Sequence, residues 1–247
     1  MDSSSDCIPL DTWNTIKCEI GKNGILGFQR VMADIGVLDA FWFVNKMVRD
    51  VDSIRFPSLY YPLWLMLVSE GVEYDVLSWL FTPKYSTPFN KRGCGIEINS
   101  DYRGVTALIL ATTVVALERA NRVVFDLIRL GANVRTYSVG NIIPLGTTAL
   151  HAAASRGDIQ SMQLLILAGS DVNVLTTKNV SPIHLAAKNG HLSACKLLVD
   201  AGANVKYYCG KEERKQAHII AKQRGHTAVE MYLRTVLDRE MDTIYCM

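Results

Sequence analysis

Thr148-Ala149-Leu150-His151-Ala152-Ala153 and Ser181-Pro182-Ile183-His184-Leu185-Ala186-Ala187 are two copies of one pattern. The copies keep step, because His151 to His184, Gly157 to Gly190 and Gly169 to Gly202 are each 33 positions apart. Three unrelated landmarks sharing one step signal stacked repeats rather than one irregular domain. Within each copy, Gly157 or Gly190 separates two apolar-periodic segments, where a helix end needs a left-handed residue. Thr148 and Ser181 offer a capping hydroxyl for the first helix, and Gly169 and Gly202 close the second.

Working outward, Asp101 to Asn133 reads as an earlier copy, but Thr106 to Gly131 spans 25 positions where Thr148 to Gly169 spans 21. The four extra residues fall between Thr113 and Val123, about one helical turn. Gly225-His226 follows Gly190-His191 by 35 positions, so residues 216–235 read as a terminal copy, and 236–247 as a polar, frayed tail. Upstream the ruler fails. Trp13 to Ile20 could start a helix, and residues 25–36 and 38–51 carry apolar side chains at steps of three and four, predicting two packed helices with Asp39 capping the second. Pro62 suits a first helical turn, Leu63 to Val68 and Val76 to Phe81 have the shape of a worn repeat, and Pro83, Pro88, Gly93 and Gly95 mark 82–100 as a long loop.

These motifs resemble the ankyrin family. Thr148 to Ala153 and Ser181 to Ala187 look like its TPLHxAA signature, and Gly190-His191-Leu192, Leu197-Leu198 and Gly202-Ala203 fall where it places GHLxxVxxLLxxGA. The resemblance implies an all-α fold, an ankyrin-repeat solenoid of helix pairs joined by β-turn fingers, with four repeats at about 101–133, 144–173, 177–206 and 212–235. Residues 1–100 form a helical, divergent amino-terminal region, either degenerate repeats or an attached domain. The inter-repeat core is expected at Leu164, Leu165, Leu197, Leu198 and Val199.

Composition excludes several function classes. The 247 residues carry 26 Lys/Arg against 24 Asp/Glu, so no large field calls for nucleic acid or an anionic membrane. The balance shifts along the chain, with 9 basic against 12 acidic residues in 1–100 and 17 against 12 in 101–247. Six scattered cysteines without a CxxC pair argue against a zinc site or a disulfide framework, and reduced thiols suit an intracellular compartment. The polar, acidic start lacks the plan of a secretory signal, and Val105 to Leu117 is too short to span a bilayer. A cytoplasmic location is expected, with the nucleus and non-classical export left open.

His151 and His184 each sit three residues after a capping hydroxyl, where the family uses the imidazole structurally, and no carboxylate or cysteine recurs beside both. Gly21 to Gly27 spells G-x-x-G-x-x-G but is not followed by the Lys-Ser/Thr of a phosphate loop. No catalytic residue, metal or cofactor is assigned. The reading is a protein-protein interaction module, expected to be monomeric, that binds another protein through its fingers and inner-helix face. Candidate contact residues are Tyr137, Asn141, Ile142 and Ile143 on a finger five residues longer than the next, Ser155, Arg156, Lys188 and Asn189 on first helices, Thr177 and Lys178 on the second finger, and Lys211, Arg214, Lys215 and Arg224 in the basic stretch after Asn204. Ile142 and Ile143 could instead pack back on the preceding repeat. From the family alone, Asn173 is a candidate for hydroxylation. Two alternatives stand beside the module: an adaptor that recruits substrates to a ubiquitin ligase or signalling complex, with residues 1–100 docking through exposed Trp13, Phe41 or Trp42, and an enzyme with its chemistry in 1–100, a region without histidine.

Overall fold

Trp13, Ile16, Ile20, Phe28, Val31 and Met32 recur at helical steps and are the buried residues of the first helix, α1 (Leu10–Asp34). In the computed structural model, residues 7–37, 43–49, 60–82, 94–140, 143–210 and 215–245 are described. The chain divides into two compact units, Met1–Asn133 and Val134–Met247.

In the first unit, α1 is broken at Gly24, whose φ of 55° and ψ of −136° lie outside the helical region. The two arms turn back on each other so closely that a Cβ on Gly27 would collide with the Glu19 carbonyl oxygen. Strand β1 (Cys7–Ile8) runs parallel to β2 (Met47–Arg49), which pairs antiparallel with β3 (Tyr60–Pro62). The helix expected over 38–51 is therefore corrected: Met47 and Val48 extend and bond neighbouring strands, a tertiary pairing that overrides a helical step pattern. Asp39, Phe41 and Trp42 lie outside the described residues. Pro62 precedes α2 (Leu63–Ser69) rather than sitting in its first turn, and α3 (Tyr74–Phe81) follows. Of the expected loop, 83–93 lie outside the described residues, while Cys94 and Ile96 are buried and their N–H groups donate to the Trp79 and Leu80 carbonyls. A hairpin of β4 (Asp101–Tyr102) and β5 (Val105–Thr106) leads into α4 (Ala107–Thr113) and α5 (Leu117–Arg129). α2 packs on α4, α3 on α5, and α1 on α3.

The second unit holds α6 (Ala149–Arg156), α7 (Ile159–Leu167), α8 (Pro182–Lys188), α9 (Leu192–Asp200), α10 (Ala217–Gln223) and α11 (Thr227–Tyr245). α8 packs between α6 and α10 in an inner row, and α9 between α7 and α11 in an outer one. Buried Ala153, Ala154, Ala186, Ala187, Ala217 and Ala221 let inner helices approach closely, and Met162, Leu165, Cys195, Leu198, Val229 and Leu233 fill the layer behind them. Leu164, Leu197 and Val199 are only partly buried, so Met162 and Cys195 take the deep positions that these were expected to share. α5 has 13 residues where α7 and α9 have 9, which places the four extra positions in the outer helix. The residues expected to fray after 235 continue α11 to Tyr245. Among the described residues, no helix is long and apolar enough to cross a membrane.

One hydrogen-bond register recurs in both units. The N–H groups of Val37, Ile96, Ala132, Ser170 and Ala203 donate to the carbonyls of the buried residues Met32, Leu80, Leu127, Leu165 and Leu198, at 2.9 to 3.1 Å. Three positions after these donors, side chains reach the following turn. Asn99 Oδ1 accepts the Asn133 N–H at 2.8 Å, Arg135 Nε donates to the Gly169 carbonyl at 3.2 Å, and Asn173 Oδ1 accepts the Asn204 N–H at 2.7 Å. The glycines between paired helices share a second register. A Cβ on Gly24 would meet Asp75, on Gly71 Val115, on Gly157 His191 and on Gly190 His226.

Candidate binding surface

The repeat histidines are consumed inside the second unit. Thr148 N–H donates to His151 Nδ1 at 3.2 Å, and its hydroxyl lies 3.0 Å from the same atom, closing a capping box on α6. The opposite ring nitrogen, Nε2, lies 2.9 Å from the Val180 carbonyl oxygen. A carbonyl only accepts, so the proton sits on Nε2 and the ring is neutral. Burial pushes the His151 pKa down to about 4, the nearby His184 ring adding a smaller push the same way. His184 repeats the geometry with Ser181 and donates from Nε2 to the Tyr207 carbonyl at 3.0 Å; burial lowers its pKa too. His191 and His226 donate from Nε2 to the Ser155 and Lys188 carbonyls, each at 3.1 Å. Arg119 does the same work in the first unit, donating to the Glu70 carbonyl at 3.1 Å. Cys195 is buried, and that burial raises its thiol pKa to about 12, a protonated and inert state at neutral pH.

The first finger is ordered by its own hydrogen bonds. Ser138 N–H donates to the Thr147 carbonyl at 2.8 Å, and the Ser138 and Thr147 hydroxyls both donate to the Pro144 carbonyl at 2.6 Å. Ile143 is 7% exposed and belongs to this packing, whereas Tyr137 is 59% exposed, so of the two only Tyr137 presents its side chain. Asn141 and Ile142 lie outside the described residues. Neighbouring fingers are stitched by main-chain bonds: Thr177 N–H to the Leu145 carbonyl at 3.3 Å, and Gly210 N–H to the Lys178 carbonyl at 3.0 Å. Exposed Val139, Leu145 and Leu175 join Tyr137, Tyr207 and Tyr208 on these fingers. Sequence reasoning passed over the first three, although each is an apolar residue at a finger position that the repeat core does not use.

Of the first-helix candidates, Lys188 and Asn189 are exposed and Ser155 and Arg156 partly so. Asn189 Nδ2 donates to the Ser155 carbonyl at 2.6 Å, so this pair also ties α8 to α6. Lys178 and Arg224 are exposed, Lys215 is half-buried beside its bridge to Cys209, and Lys211 and Arg214 lie outside the described residues. The Asn173 amide donates to the Gly202 carbonyl at 3.1 Å while accepting from Asn204, a structural use at both ends. A cleft of about 500 Å³ lies at the base of the first finger, lined by Arg135, Thr148, Ser170, Asp171 and Val174. Among the described residues, no group of three His, Cys, Asp or Glu could hold a metal.

In the first unit a cleft of about 440 Å³ is lined by Trp13, Lys17, Glu70, Glu73, Arg119 and Arg122. Four of these charges are paired, Lys17 with Glu70 at 2.8 Å and Arg122 with Glu73 at 2.9 Å, while Arg119 is held by the Glu70 carbonyl. Trp13 is 4% exposed and sits in the core, which corrects the expectation of an exposed Trp13 for docking.

Two helices per 33 residues, capping boxes built on histidine, stitched fingers and a repeated glycine register define a stack of helix-turn-helix repeats. A family model described as ankyrin repeats in three copies matches residues 113–209, and this stretch is built of ankyrin repeats. No curated protein matches it. Ankyrin repeats are generally protein-protein interaction modules and typically non-enzymatic.

Proposed function

We propose that the chain binds a partner protein through the fingers and inner helices of Val134–Met247, and that residues 10–37 and 60–99 are degenerate repeats of the same kind. What supports the first reading is the spending of the signature residues: His151, His184, His191, His226 and Asn173 all point into the stack, leaving the finger and inner-helix side chains to meet a partner. What supports the second is the shared register, with Gly24 eight positions before Met32 as Gly157 is before Leu165, and Asn99 bonding Asn133 as Asn173 bonds Asn204.

Lysine cross-linking of the full chain in a cell extract tests the face used. Partner cross-links are expected at Lys178, Lys188 and Lys222, which lie on a finger and on inner helices. Cross-links concentrated at Lys196, on outer helix α9, would sink the reading.

A further inference from the structure

We infer that the partner segment held by this face is acidic and interspersed with apolar side chains, an inference that rests on the binding-module reading above. Charge in the second unit is sorted by layer. Among the described residues, the fingers and inner helices (134–140, 143–157, 170–190, 203–210 and 215–225) carry eight Lys/Arg against one Asp/Glu, whereas the outer helices (158–169, 191–202 and 226–239) carry three against four. That one acid, Asp171, is tied into a turn, its Oδ1 accepting the Asn173 N–H at 2.8 Å. Lys188 lies in the last turn of α8, and Arg224 stands just past α10, one position before Gly225 as Arg156 stands one before Gly157. Basic side chains at these inner-helix ends thus recur from repeat to repeat.

Layer sorting is what an electrostatically steered interface needs, because like charges facing one way raise the local concentration of an oppositely charged partner. The same face carries exposed Tyr137, Val139, Leu145, Leu175 and Tyr208 between the cations. Aromatic and aliphatic anchors supply binding energy once charge has brought the partner in. Branched aliphatics offer no flat surface to stack a base, so the mixture favours an acidic peptide over a nucleic-acid strand.

The test uses the full chain and fluorescence anisotropy with three labelled probes: a glutamate-tyrosine copolymer, a lysine-tyrosine copolymer and an oligothymidylate of matched charge. The glutamate-tyrosine copolymer is expected to bind, and the triple variant Lys178→Glu/Lys188→Glu/Arg224→Glu to weaken it by about tenfold or more. Lys196→Glu/Arg234→Glu, on outer helices, should leave it unchanged, with circular dichroism checking that each variant folds. Equal binding by wild type and triple variant, or tighter binding of the oligothymidylate, overturns the inference. An extract protein retained equally by wild type and triple variant would leave the binding module standing and overturn its acidic specificity.

Discussion

The Asp75 carboxylate accepts the backbone N–H of Ile25 at 2.9 Å, across 50 positions of sequence. Ile25 is the first residue beyond the break at Gly24, where a new helical arm begins with donors that have no intrahelical acceptor. The other carboxylate oxygen accepts the Val76 N–H at 2.8 Å, so one side chain closes the start of two helices. Asp75→Ala is expected to destabilise the chain by about 1 kcal/mol and to speed hydrogen exchange at the Ile25 amide, with Asp75→Asn milder on both. An unchanged exchange rate would refute the capping role.

Neutral imidazoles inside the stack make stability depend on pH. The His151 pKa falls from 6.5 to about 4 on folding, and that of His184 moves in the same direction. Between those values the unfolded chain takes up protons that the folded chain refuses. Stability is therefore full above pH 6.5 and declines as pH drops towards 4, by roughly 3 kcal/mol for His151 alone. Thermal melts across this window should show the decline. His151→Gln/His184→Gln should melt lower at neutral pH but with a shallower pH dependence, and an unaltered slope would count against the assignment.

Gly157 and Gly169 both have positive φ, 69° and 90°, yet their surroundings differ. A Cβ on Gly157 would stand 2.6 Å from His191 Nδ1, whereas one on Gly169 meets nothing within 4 Å. Gly169→Ala should cost about 1 kcal/mol, the left-handed backbone alone. Gly157→Ala must also displace His191 from the Ser155 carbonyl and should cost about 2–3 kcal/mol. Urea unfolding of the two variants separates them, and equal losses would contradict the contact.

Two leucines on one helix make a further contrast. Leu165 is fully buried and Leu167 is 85% exposed. Leu165→Ala should lose about 2–5 kcal/mol, and Leu167→Ala less than about 0.5 kcal/mol. A large loss at Leu167 would show that its surface is covered by something in solution.

The parts legible in the sequence were those whose landmarks keep a constant step. Thr148 to Asn204 does so, because its caps, histidines and glycines all serve one geometry, and the helix pairs stand where the 33-residue ruler puts them. The first unit was obscured for identifiable reasons. Gly24 and Gly36 keep the 12-residue separation of Gly157 and Gly169, but no capping hydroxyl and histidine precede them. The carbonyl of Leu80 is met by Ile96, sixteen positions on, where Leu165 is met by Ser170 only five on, so no fixed period survives. At Met47 and Val48 the partner strands lie far along the chain, and local periodicity carries no trace of them. On the candidate surface, cations and Tyr137 could be singled out from sequence, whereas the burial of Ile143 depends on how its finger folds.

His151 and His184 tie each inner helix to the next finger through the main-chain oxygens of Val180 and Tyr207, not through their side chains. Every residue, proline included, offers the same main-chain carbonyl, so the joint does not care which amino acid supplies it. Scaffold and reader are thereby separable. Finger side chains can be rewritten for a different partner while the joints between repeats stay as they are, which makes this stack a ready frame for selecting new binders from a library confined to its fingers.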